Sequence, residues 1–90
     1  MTETVDSTLV EAPRAVAVLS YLATRLVDGP EQVRIETSPS RNGVKLSLSV
    51  APEDMGKVIG RRGRIAQSIR SVVRAAGARE GVDVSVDIVD

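Results

Sequence analysis

The ten residues from Gly56 to Ile65, GKVIGRRGRI, hold three glycines, one lysine and three arginines among three branched aliphatics. Glycine removes the Cβ that keeps a second polymer at a distance. Arginine offers a permanently charged, planar fork of donors that matches phosphate oxygens. Gly60 and Gly63 bracket Arg61 and Arg62, so the barest backbone and the densest positive charge coincide. A helix starting just after Gly63 would add its unbonded N–H groups and the positive end of its dipole at the same place. The chemistry this composition suits is contact with a sugar-phosphate chain.

Other chemistries find few residues to work with. The chain has no cysteine and no histidine, which removes a disulfide framework, thiolate or imidazole metal ligands, and any side chain that titrates near neutrality in its ordinary state. Gly56, Gly60 and Gly63 are spaced GxxxGxxG, which is neither the dinucleotide fingerprint nor a P-loop, and they follow a helical turn instead of a strand. Glu53 and Asp54 could act as acid and base, but at the start of a helix they are accounted for by the dipole. The expectation is a protein that is not an enzyme and has no cofactor, metal or small-molecule substrate.

Charge narrows the partner. The net charge is zero, from twelve basic and twelve acidic residues. Met55 to Arg79 nevertheless carries seven basic residues (Lys57, Arg61, Arg62, Arg64, Arg70, Arg74 and Arg79) and no acid. The remainder has five basic residues against all twelve acids, so a segment of +7 sits in a background of −7. Such segregation marks either a polyanion site or a solvated helix face.

The elements that must hold this segment are legible from periodicity. Residues 1–11 lack an apolar pattern and are expected to be a mobile leader, with one domain over 12–90. Ala15, Val16, Leu19, Leu22, Ala23 and Leu26 follow helical spacing from Pro13, and Asp28-Gly29-Pro30 stops that helix. Tyr21, the one aromatic, falls opposite the stripe between Arg14 and Arg25, either as a partner anchor or as an ordinary exposed side chain. VRIET (33–37) and VKLSLSV (44–50) alternate with period two around the turn residues of SPSRNG, which predicts an antiparallel hairpin. Met55 to Ile59 makes barely more than a helical turn. After Gly63 a longer helix is expected, with Ile65, Ile69, Val72, Val73 and Ala76 on its apolar face, Gln67, Arg70, Ser71 and Arg74 turned away, and Gly77 as its stop. Val82, Val84, Val86 and Ile88 alternate with Asp83, Ser85 and Asp87 in a last half-buried strand. The order α-β-β-α-α-β, with a polar outer face at Lys45, Ser47, Ser49, Asp83, Ser85 and Asp87, predicts an α+β domain of two layers in which three helices cover one face of a three-stranded sheet.

VIGRRGRI, Val58 to Ile65, resembles the GXXG signature of KH domains, whose loop clamps about four backbone nucleotides. The element order is similar to the type II arrangement. From about Val10 to Asp90, through VDGPEQVRI, VAPEDMGKVIGRRGRIAQSIRSVVRAAGAREG and the terminal valine-rich strand, the chain resembles the small bacterial single-KH proteins of the KhpA (YlqC-type) family. That resemblance implies a cytoplasmic protein binding single-stranded RNA, an RNA chaperone or post-transcriptional regulator. It also implies pairing with a KhpB-type KH-containing protein or with a second copy, and a role in cell length, division and cell-wall homeostasis. It implies that Gly60, Arg61, Arg62 and Gly63 meet the RNA backbone, that Lys57 reaches a neighbouring phosphate, and that Arg64 flanks the groove. Val58, Ile59 and Ile65 would form the apolar wall on which bases lie, or belong to the core. With no Phe or Trp, aromatic stacking cannot be the main source of affinity, and an RRM is disfavoured. A single such domain should bind weakly, so a second KH surface is expected to contribute. The alternative is an assembly module in which RNA contact is secondary. No apolar run approaches the length of a membrane helix, and neither a membrane partner nor export is expected.

Overall fold

A computed structural model describes residues 11–89; residues 1–10, nearly all of the expected leader, lie outside the described residues. The chain runs α1 (Pro13–Leu26), β1 (Arg34–Pro39), β2 (Gly43–Ser49), α2 (Met55–Ile59), α3 (Arg64–Arg79) and β3 (Asp83–Ile88), with 3-10 turns at Pro30–Gln32, Pro52–Asp54 and Arg61–Gly63. This is the expected α-β-β-α-α-β order.

The sheet order is β1-β2-β3. β1 and β2 form the antiparallel hairpin, with Ile35 opposite Leu48 and Pro39 opposite Val44. β3 lies parallel to β2, pairing Val84 with Val44 and Val86 with Leu46. Parallel neighbours need a crossover, and the α2-loop-α3 segment is that crossover. The segment that carries the arginines is therefore tied to the sheet at both ends. Alternation puts Val44, Leu46, Leu48, Val84 and Val86 under the helices, where they pack with Ala15, Leu19 and Ala23 of α1, Val58 of α2, and Ile69 and Val73 of α3. Lys45, Asp83, Ser85 and Asp87 stay exposed on the open face.

Three details of α3 differ from the periodic reading. Its buried stripe is Ala66, Ile69, Val73 and Gly77, while Val72 is 49% exposed, because the helix meets the sheet one position round from the most hydrophobic arc. Gly77 does not stop the helix, which runs to Arg79. A Cβ on Gly77 would lie 2.3 Å from the Val84 side chain, so this glycine lets α3 approach β3, and Gly81 at φ 77° makes the turn. Arg70 is not turned away: its Nε donates to the Val86 carbonyl oxygen at 3.2 Å, on the edge strand.

The helix N-termini are treated unequally. α1 has Ala12 at its cap position and no side-chain cap of its own. Glu80, just past α3, supplies one from 65 residues away, accepting from the N–H groups of Arg14 at 3.1 Å and Ala15 at 2.9 Å. α3 has Gly63 at its cap position, no side-chain cap and no acid in its first turn.

Candidate nucleic-acid interface

The backbone between α2 and α3 turns sharply and stays outside. Gly60 ends α2 at φ 75°, ψ 176°, with its N–H donating to the Gly56 carbonyl at 2.9 Å. Gly63 enters α3 in the left-handed region at φ 71°, ψ 16°, with its N–H donating to the Gly60 carbonyl at 3.2 Å. Between them Arg62 sits at φ 55°, ψ 26°, the only non-glycine with positive φ among the described residues. An L-residue with a Cβ in that region costs about 1–2 kcal/mol, and such strain concentrates at ligand clamps and other functional sites.

The two glycines are bare for different reasons. A Cβ on Gly60 would meet Ile65 Cγ1 at 2.6 Å, whereas one on Gly63 would meet nothing within 4 Å. Close packing inside the turn uses the first, and the open approach lies at the second. Arg61, Arg62 and Arg64 are exposed and form no ion pair or side-chain hydrogen bond with any described residue. The N-terminus of α3, which has no side-chain cap, lies beside them; its Arg64 N–H already donates to the Arg61 carbonyl, and the positive end of the helix dipole favours anions there.

The other candidate residues divide. Val58 is fully buried, so it belongs to the core. Ile59 is 37% exposed beside the loop. Ile65 is half-buried, packed against the core and under Gly60. Lys57 points into an acidic clamp, with its Nζ 3.2 Å from Asp54 Oδ1 and 3.3 Å from Asp28 Oδ2. Asp54 Oδ2 in turn accepts the Gly29 N–H at 3.1 Å. Burial pushes the Asp54 carboxyl up, but the N–H groups of Gly29 and Asp28 together with Lys57 outweigh it and hold the group below its usual range. The hydrogen bond to Asp54, and then that to Asp28, raise the Lys57 ammonium. Asp54 was expected only to serve the helix dipole; it also staples the α1–β1 connection to α2. Its short-range pattern carries no sign of a partner 25 residues away.

Periodicity also left out a shallow groove between α1 and α3, of about 350 Å³, lined by Leu22, Leu26, Ile65 and Val72 with Arg25 and Arg64 at its sides. Tyr21, 59% exposed, lies nearby on α1 under the Arg25 guanidinium, 4.8 Å from the ring centre.

Comparison with known proteins bears on the family and the fold. A family profile describing the KhpA/KhpB KH domain matches residues 8–88. The chain is 46% identical to the RNA-binding protein KhpA of Clostridium acetobutylicum over 72 residues, covering 80% of this chain and 96% of that one. It is 44% identical to the RNA-binding protein KhpA of Streptomyces coelicolor over 72 residues, 80% and 87% of the two chains. The corresponding protein of Mycobacterium tuberculosis is 40% identical over 75 residues, 83% and 90%. Among solved structures, Aquifex aeolicus Era bound to GDP·AlF4− superposes with a TM-score of 0.62 at 17% identity. The match covers 84% of this chain but 30% of Era, and at that identity it speaks for the fold alone.

Proposed function

The chain belongs to the KhpA/KhpB family of KH domains, and from that premise we propose that it is a non-catalytic RNA-binding protein that grips the backbone of a single strand through Gly60-Arg61-Arg62-Gly63. The observation that carries the reading is Arg62 held in the left-handed region between two positive-φ glycines, beside a helix N-terminus with neither cap nor acid. Phosphate oxygens supply the counter-charge for the guanidinium groups and for the positive end of the α3 dipole. Arg64 flanks the path, and Ile59 with the exposed edge of Ile65 offers bases an aliphatic surface. Lys57 already holds two carboxylates, which leaves the direct contacts to the arginines.

The regulatory role belongs to the same proposal: a cytoplasmic chaperone or post-transcriptional regulator that acts with a KhpB-type partner in cell length, division and cell-wall homeostasis. No helix among the described residues is long and apolar enough to cross a membrane. The test of the RNA reading is crosslinking in cells of the Arg61→Asp, Arg62→Asp variant, with circular dichroism to verify the fold. Loss of crosslinked RNA from a folded variant is expected, and undiminished crosslinking removes the reading.

A second reading, assembly through the α1/α3 face, is favoured by the exposure of Val72 and Tyr21 around an apolar groove. It is compatible with the first, since a second KH surface would supply the affinity that one domain lacks. Light scattering of Val72→Glu decides it: the associated species should shrink to a monomer, and an unchanged mass rejects this face.

A further inference from the structure

Lys57 lies one helical turn before Gly60, at the threshold of the arginine loop. Its two partners differ in kind. Asp54 is buried and bound to the Gly29 N–H, so it is part of the scaffold. The Asp28 side chain is 86% exposed, and it holds the ammonium at 3.3 Å from the solvent side. A phosphate oxygen is the same kind of partner for that cation, since an ammonium accommodates either anion as a point charge.

We infer that Asp28 is an affinity-limiting residue: its carboxylate stands in for a phosphate on Lys57 and keeps that cation out of the RNA contact set. The inference rests on the RNA-binding reading and deepens it. Binding of a strand across the loop then either leaves Lys57 unused or must displace Asp28, an exchange of one anion for another with little net gain. Removing the Asp28 charge alone leaves the buried Asp54–Lys57 pair in place and opens the outward side of the ammonium. One additional phosphate contact on a single strand steepens the dependence of log K on log salt by about 0.7, which is about a fivefold gain in affinity at about 0.1 M salt.

The test is a salt series of binding to a fluorescent, unstructured single-stranded RNA oligonucleotide. It compares the full chain, Asp28→Asn, Asp28→Ser, Lys57→Gln, and Asp28→Asn with Lys57→Gln. The structure predicts the steeper slope and tighter binding for both Asp28 variants, cancelled when Lys57→Gln is added. Unchanged affinity and slope in the Asp28 variants overturn the inference. So does a gain that persists with Gln at position 57, which would make Asp28 a diffuse repulsive charge, and so does a slope already flattened by Lys57→Gln alone, which would place Lys57 on the RNA from the start. A parallel Arg61→Gln, Arg62→Gln variant separates the two readings. If it binds as the full chain does, the RNA-binding loop itself is wrong and this inference falls with it. If it loses binding while Asp28→Asn has no effect, only the inference falls.

Discussion

Replacing Arg61 and Arg62 together by glutamine removes two charges and little else. Both side chains are exposed and unpaired with any described residue, and glutamine at position 62 meets the same left-handed backbone as arginine, so folding stability should change by less than about 0.5 kcal/mol. Each phosphate contact on a single strand contributes about 0.7 to the slope of log K against log salt, so losing two flattens the slope by about 1.4. Referred to about 1 M salt, where the ionic contribution vanishes, that is about 25-fold weaker binding at about 0.1 M and about 10-fold at about 0.2 M. The 25-fold loss corresponds to about 2 kcal/mol. Fluorescence anisotropy of a labelled, unstructured RNA oligonucleotide across a salt series reads both quantities in one experiment. The two binding curves should converge as salt rises. An equal slope with equal affinity refutes the phosphate assignment. A parallel loss at every salt concentration refutes it too, since it would mean the arginines act through packing or fold.

The two loop glycines should respond differently although both have positive φ. Gly63→Ala meets open space and should cost only the backbone penalty of about 1–2 kcal/mol, while Gly60→Ala also drives a methyl into Ile65 and should cost about 2–5 kcal/mol; urea melts that place them equal would refute the contact. Asp54 is held below its ordinary value of 3.8, so its contribution is complete above that pH and is lost as pH falls through the lower folded value. Melting temperature against pH below about 4 should therefore be less steep in Asp54→Asn than in the parent, and identical acid limbs would remove Asp54 as a source of that dependence. Glu80→Ala strips the N-terminus of α1 of its cap and should cost about 1 kcal/mol, with amide exchange accelerated at Arg14 and Ala15; unchanged exchange there would show the cap to be dispensable.

Elements whose signal is local were legible in the chain. The alternation of Val44, Leu46 and Leu48 and of Val84 and Val86 placed β2 and β3, and Pro13 and Asp28-Gly29-Pro30 bounded α1. The turn at Gly60 to Gly63 was legible because only glycine accepts its φ values cheaply and because no acid dilutes the charge. What failed was what depends on a distant partner. Gly77 looks like a stop to a reader of helix propensity, yet its meaning is the Val84 side chain across the interface. Val72 belongs to the hydrophobic arc of α3 but lies outside the narrower arc that meets the sheet. Arg70 reads as solvated until β3 puts the Val86 carbonyl beside it. Lys57 reads as one of seven free cations, and the acids that bind it are supplied by the α1–β1 connection and the turn before α2.

Amide chemical shifts of the folded chain, followed while an unstructured RNA oligonucleotide is added, test the central claim most directly. The largest changes should fall on Gly60, Arg61, Arg62, Gly63 and Arg64, fading along α3. Changes confined to the open sheet face around Lys45, Ser47 and Ser85, with the loop amides unmoved, would contradict it.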